Sequence, residues 1–138
     1  MKKLICLLAA AALEQGISAQ ETYECTGSIE VGGHVYRCAY GRGHGTVDMK
    51  TALEQSCNCY FVQLGLRLGA QTVYDITKSA GFGQSQQVAG GLRAASGNLP
   101  DAAQLEDLGQ LASISFGQGA LTATPVQVAA MMNLFANG

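Results

Sequence analysis

The 138-residue sequence predicts a mixed helix-and-strand chain, α/β in class and α+β in arrangement, mainly helical with one β-hairpin near residues 28–38. Three observations carry this expectation. Apolar residues recur at helical spacing in several separate stretches, as they do in helices with one buried face. Two short alternating runs, Ser28-Ile29-Glu30-Val31 and His34-Val35-Tyr36-Arg37-Cys38, flank Gly32-Gly33, the pattern of a two-residue hairpin. Hydrophobic residues make up 48% of the chain and charged residues 13%, which suits a packed core and not a disordered segment.

The elements follow in order. Met1-Lys2-Lys3 precedes an apolar run, residues 4–13, rich in the strongest helix formers, and Gly16 stands where a C-terminal cap belongs. The same letters satisfy a secretory signal with Ile17-Ser18-Ala19 as its cleavage site, so the segment alone leaves a core helix and a signal peptide both open. Cys25 and Cys38 flank the hairpin. With Cys25 on its first arm the two thiols would face each other, a candidate disulfide in an oxidising compartment. Gly41-Arg42-Gly43-His44-Gly45 reads as a loop, and Thr46 is expected to cap a helix through Val47, Met49, Ala52 and Leu53. That helix should break near Ser56-Cys57-Asn58. A second then carries Tyr60, Phe61, Leu64, Leu66 and Leu68 and stops at Gly69. A third is expected over 71–80, capped by Gly81. Residues 83–100 read as surface loop with a short strand near 88–92. Leu105, Leu108, Leu111 and Ala112 suggest an amphipathic segment leading into Ser113-Ile114-Ser115-Phe116. After the Gly117-Gln118-Gly119 turn, Thr124 and Pro125 provide an N-cap and a first helical position for a last helix through Phe135.

Several function classes are unsupported. Eight basic against ten acidic side chains give a net charge of -2, so there is no basic footprint for nucleic acid. The apolar run at 4–13 is too short to span a bilayer, which needs about 18 residues or more. His34 and His44 with Cys25, Cys38, Cys57 and Cys59 offer metal-ligating atoms, but not at the paired C-x2-C spacing, so no metal site is assigned. Neither Gly81-Phe82-Gly83 nor Gly117-Gln118-Gly119 has phosphate-loop spacing, and no serine lies in a G-x-S-x-G elbow. Ser56-Cys57-Asn58 is a weak motif by itself. At a break between two helices it is more informative: a serine hydroxyl both donates and accepts, and so can pass a proton, while an amide two residues on can orient a substrate amide.

Read in order, the chain resembles the transpeptidase domain of penicillin-binding proteins, in particular the class B type. The matching stretches are Ala11-Ala12-Leu13-Glu14-Gln15-Gly16, Cys25 with Val31-Gly32-Gly33, Tyr36-Arg37-Cys38 and His44-Gly45-Thr46-Val47-Asp48. They continue through 52–61 around Ser56-Cys57-Asn58, Ala80-Gly81-Phe82-Gly83, Ser115-Phe116-Gly117-Gln118-Gly119, Thr124-Pro125-Val126-Gln127-Val128-Ala129 and the closing Ala136-Asn137-Gly138. The resemblance implies a D,D-transpeptidase that cross-links peptidoglycan stem peptides through an acyl-serine and is trapped by β-lactams, with no cofactor. It implies proton relay by Ser56 and substrate positioning by Asn58, and a packing role for Gly117, Gln118 and Gly119. It implies the fold shared with serine β-lactamases, whose five-stranded antiparallel sheet this segment would supply only in small part. Cell-wall synthesis machinery on the outer face of the bacterial membrane would be its partner.

The departures shape the expectation for function. Aligned without gaps, the serine of the family's S-x-x-K falls on Lys2 and its lysine on Ile5; a two-residue slip brings Lys3 to the lysine position and leaves the serine before Met1. K-T-G does not occur, Lys78 being followed by Ser79-Ala80. Residues 1–138 are therefore expected to be part of a transpeptidase domain, inactive alone because acyl transfer loses its covalent step without the nucleophile. Such a segment should expose apolar surface and be marginally stable. The resemblance favours the core-helix reading of the N-terminus. The alternative is a small secreted binding module with an N-terminal signal and a Cys25–Cys38 disulfide.

Overall fold

The computed structural model describes residues 4–39 and 41–137. Lys2, Lys3 and Gly138, on which part of the family alignment falls, lie outside them. Helix α1 (Leu4–Glu14) packs into the interior: Leu4, Leu8 and Ala12 have no solvent exposure, and Ile5, Leu7, Ala9 and Ala11 are also buried. Each fully buried Leu contributes about 1.5–3 kcal/mol of transfer free energy, so this apolar run belongs to the core.

Strand β1 (Tyr23–Cys25) is followed by β2 (Ser28–Val31) and β3 (His34–Arg37), which form the expected antiparallel hairpin with Val31 opposite His34. The next strand corrects the expectation of a helix capped by Thr46. Gly45–Val47 is β4, paired antiparallel with β1, Tyr23 opposite Val47 and Cys25 opposite Gly45. Val47 is fully buried as a strand residue, and the cap of α2 (Met49–Glu54) is Asp48, whose carboxylate accepts the Thr51 N–H at 2.8 Å. Cys25 consequently lies on β1 and not on an arm of the β2–β3 hairpin.

Helix α3 (Asn58–Leu68) is the centre of the packing. It buries Cys59, Tyr60, Phe61, Val62, Leu64, Gly65 and Leu68, more than one face's worth, and is contacted by α1, by α4 (Ala70–Ser79) and by α5 (Leu108–Ser115). Gly69 ends α3 at φ 83°, a conformation that costs glycine nothing, and α4 starts at the next residue, one earlier than expected. The loop expected over 83–100 contains a second hairpin, β5 (Gln87–Ala89) with β6 (Leu92–Arg93) turning through Gly90-Gly91. A 3₁₀ turn, Gln104–Glu106, leads to α5, and α6 (Pro125–Asn137) runs to Asn137, past Phe135. Gln127, fully buried, reaches back from the first turn of α6: its Nε2 donates to the carbonyls of Gly81, Gln84 and Ser96, and its Oε1 accepts the Thr124 N–H at 2.9 Å. The described residues hold three two-stranded antiparallel sheets and no larger one. Leu92, Leu134 and Phe135 are among the exposed large apolar residues, in line with the expected apolar surface. No helix of the described residues is long and apolar enough to cross a membrane.

Candidate functional site

The break between α2 and α3 falls where the sequence places it, and its geometry is specific. The Ser56 N–H bonds the Leu53 carbonyl at 3.2 Å and the Cys57 N–H bonds the Ala52 carbonyl at 2.9 Å. These are the two bonds of a helix-ending turn whose pivot residue takes the left-handed conformation, usually as glycine. Here the pivot is Ser56, at φ 50°, the sole non-glycine with positive φ among the described residues. Cys57 is extended (φ -69°, ψ 104°) and is the N-cap of α3. Its side chain is fully buried while Ser56 and Asn58 on either side remain half-buried. The turn thus presents the two polar side chains together and drives the thiol between them inward. Asn58 Nδ2 donates to the Arg37 carbonyl at 2.8 Å, which ties the start of α3 to the end of β3.

Beneath this turn lies a group of thiols. Cys25 Sγ is 3.6 Å from Cys38 Sγ, which is 3.7 Å from Cys57 Sγ and 3.5 Å from Cys59 Sγ. His44 Nδ1 comes to 3.5 Å from Cys25 Sγ. Cys25 and Cys38, the candidate disulfide pair, bring their sulfurs side by side, with all five cysteines present as free thiols. Burial alone would raise the Cys25 thiol, but hydrogen bonds from the His44 backbone and side chain, the Gly27 backbone and the Cys57 thiol outweigh it and bring it down to about 6. Burial pushes Cys57 and Cys59 the other way, and the sulfurs next to them add to the rise. Four of the donors, on Cys25, Cys38, His44 and Cys57, lie within 4.8 Å of one another. Sequence spacing did not reveal them because they come from four separate elements. The one local signal was that Cys57 sits inside the Ser56–Asn58 motif.

Gly117-Gln118-Gly119 ends α5 by the same kind of turn. Gly117 sits at φ 78°, and the Gln118 N–H bonds the Ser113 carbonyl at 2.9 Å. A Cβ on Gly119 would lie 2.9 Å from Ser113 Cβ, so this segment meets α5 at close range. A pocket of about 130 Å³ lined by Ile17, Tyr23, Tyr60 and the Arg67–Glu21 ion pair is formed by residues other than those of the Ser56 turn.

Known proteins resemble this chain over most of its length. The family described as the penicillin-binding protein transpeptidase domain matches residues 5–138. Stage V sporulation protein D of Bacillus subtilis is 34% identical over 97% of this chain and 20% of its own length. Peptidoglycan D,D-transpeptidase MrdA of Acinetobacter baumannii is 33% identical over 75% of this chain and 16% of its own length. The chain therefore spans about a fifth of the length of these curated relatives. Among solved structures, penicillin-binding protein PBP2 of Helicobacter pylori, in complex with MreC, superposes with a TM-score of 0.84 at 26% identity, covering 99% of this chain and 27% of that one. The mixed α/β fold is that of these transpeptidase domains, and the chain belongs to the penicillin-binding protein transpeptidase family.

Proposed function

We propose that residues 1–138 are the part of a peptidoglycan D,D-transpeptidase domain that carries its proton-relay serine and its substrate-orienting amide. The observation that supports this most directly is Ser56 at φ 50°. A serine in the left-handed region costs about 1–2 kcal/mol relative to ordinary helical backbone. Strain of this kind is found where a side chain must be held in one direction. Ser56 passes the proton between the activating lysine and the leaving amine of an acyl-serine reaction, and the Asn58 amide, its Nδ2 anchored on the Arg37 carbonyl, offers Oδ1 to an N–H of the stem peptide. Penicillin enters the same cleft as a mimic of the D-Ala-D-Ala terminus. The nucleophile and the K-T-G strand are supplied outside these 138 residues, so this chain alone does not acylate. The parent acts on the outer face of the bacterial membrane, with the cell-wall synthesis machinery; the MreC complex of the Helicobacter pylori relative is consistent with such a partner.

Two measurements test this. Incubated with a fluorescent penicillin, the chain gives no boil-resistant band, and a stoichiometric adduct would overturn its assigned incompetence. In a parent enzyme that carries S-x-x-K and K-T-G, Ser56→Ala lowers the acylation rate by about 10²–10⁴-fold, the range of general acid–base catalysis. Acylation at the parental rate removes Ser56 from the mechanism.

A further inference from the structure

A small pocket of about 130 Å³ opens between the segment after α1, strand β1 and helix α3, and the residues of the Ser56 turn take no part in it. Ile17 and Leu64, both buried, supply apolar wall. Tyr60 lines it with a ring held edge-on against the fully buried Phe61, the centroids 5.3 Å apart at 70°. Tyr60 is only 5% exposed, yet its hydroxyl has no hydrogen-bond partner among the described residues. No polar side-chain atom among them is both sealed from solvent and unpartnered, so that hydroxyl reaches open space, and the space that Tyr60 borders is the pocket. A buried tyrosine usually finds a partner for its O–H. Glu21 and Arg67 close the rim as an ion pair, with a second contact from Arg67 Nη2 to a Glu21 carboxylate oxygen at 3.4 Å. Burial, then the carboxylates of Glu21 and Asp48, raise the Tyr60 hydroxyl above the usual tyrosine range, against the pull of Arg67. It therefore stays protonated and able to donate.

We propose that this pocket is a binding site for a neutral phenol-class group, either a free small phenol or a tyrosine side chain presented by a peptide. Size sets the first limit: an apolar cavity of about 150 Å³ takes up benzene, so about 130 Å³ suits one six-membered ring and little more. Chemistry sets the second. A phenol oxygen accepts the Tyr60 O–H, and its own proton goes to a lone pair of the Glu21 carboxylate, whose contacts with Arg67 leave acceptor capacity. Charge sets the third. Arg67 is already matched by Glu21, and Asp48 adds a further negative charge that Tyr60 feels, so a ligand carboxylate would meet repulsion. Occupancy joins the segment from Ile17 to Tyr23 to the middle of α3, the helix that begins at the Ser56–Asn58 turn. The site uses neither Ser56 nor Asn58, so it stands apart from the acyl-transfer roles given to them.

The test titrates the isotope-labelled 138-residue chain with phenol, benzene, benzoate and N-acetyl-tyrosinamide, and reads backbone amide resonances by nuclear magnetic resonance. Phenol is expected to move resonances of residues 17–23 and 60–67 with a dissociation constant of about 1 mM, in the range open to so small a ligand. Benzene binds about 3–10-fold more weakly, for want of the hydrogen bonds, and benzoate does not bind. Tyr60→Phe deletes an oxygen that bonds nothing in the protein, so the fold is kept, and phenol binding falls about 3–10-fold, toward that of benzene. Glu21→Gln, at a half-exposed position, removes the repulsion and admits benzoate. N-acetyl-tyrosinamide binding as tightly as phenol assigns the site to a presented tyrosine, and phenol binding without it assigns the site to a free small molecule. A pocket that holds water only, with no resonance moved by phenol, overturns the proposal. So does phenol binding that Tyr60→Phe leaves unchanged, benzoate binding to the parent chain as tightly as phenol, or shifts confined to residues outside those two segments.

Discussion

Gly65 is buried in the middle of α3 at its crossing with α5, and the two helices approach through it. A Cβ built there would lie 2.6 Å from Ser115 Cβ, and closer still to Ser115 Oγ. Carbon atoms in contact sit about 3.5–4.0 Å apart, so Gly65→Ala forces the helices to separate by about 1 Å. Turning the Ser115 hydroxyl aside does not help, because it gives up the 2.6 Å bond to the Leu111 carbonyl and leaves the Cβ clash untouched. Val62 and Ala112, both fully buried, lie in the same small apolar cluster and would lose contact as the helices part. An approach this close puts the overpacking at the upper end of the usual range, about 3 kcal/mol, against a gain of about 1 kcal/mol from alanine's helix propensity, so a net loss of about 2 kcal/mol is expected. The assay is the denaturant midpoint at unchanged slope. Gly65→Ala combined with Ser115→Gly should recover most of the loss, since the nearest remaining Ser115 atom, its Cα, stands 3.7 Å away. A single Gly65→Ala variant that matches or exceeds the parent midpoint would refute the close-packed seam.

Three further outcomes are expected. Gln127→Leu keeps roughly the volume but removes the donor from the carbonyls of Gly81, Gln84 and Ser96, and should lower stability by about 2–4 kcal/mol in chemical denaturation; parental stability would show that the bonds carry no weight. The Thr51 backbone N–H holds the Asp48 carboxyl below the usual carboxylate range, so the contribution of this cap is complete above the unfolded-state value and lost as pH falls through the lower folded one. Asp48→Asn, still a capping residue, should flatten that part of the acid unfolding curve, and an identical curve would count against the cap. Ser56→Gly relieves the left-handed backbone at the cost of a more flexible unfolded chain, and should be between neutral and about 1 kcal/mol more stable by thermal melting; a clear loss of stability would mean that the hydroxyl, and not the backbone, holds the turn.

Much of the fold was legible because its signals are local. The apolar run at 4–13 and the spacing of Tyr60, Phe61, Leu64 and Leu68 fall on helices because each buries a continuous face. Thr124-Pro125 opens α6 because proline costs nothing at a position whose N–H has no helical partner. Strand β4 was not legible: Gly45-Thr46-Val47 is too short to show alternation, and it is a strand only because Tyr23–Cys25, from earlier in the chain, supplies its hydrogen bonds. Thr46 therefore reads as a cap in the sequence, a role that Asp48 fills in the structure. The β5–β6 hairpin was half seen, since Val88 and Leu92 are exposed and leave no buried face to read. At the site, the Ser56–Asn58 turn announced itself by interrupting a helical period. The sulfur cluster beneath it did not, because its donors are assembled by tertiary packing.

The same backbone reversal accounts for both features. When Ser56 turns left-handed and Cys57 extends, consecutive side chains must point to opposite sides, so Ser56 and Asn58 stay partly exposed only if Cys57 goes inward. The middle residue of the motif is then a support and not a spacer. In this chain it rests 3.7 Å from Cys38, which itself follows the strand whose last carbonyl holds Asn58. Two independent ties, one polar at Arg37 and one through sulfur at Cys38, thus connect the turn to the same end of the β2–β3 hairpin. The positions of the Ser56 hydroxyl and the Asn58 amide are accordingly set by the hairpin as much as by the two helices they join, and a change at Cys38 should be felt at Ser56 without any contact between the two.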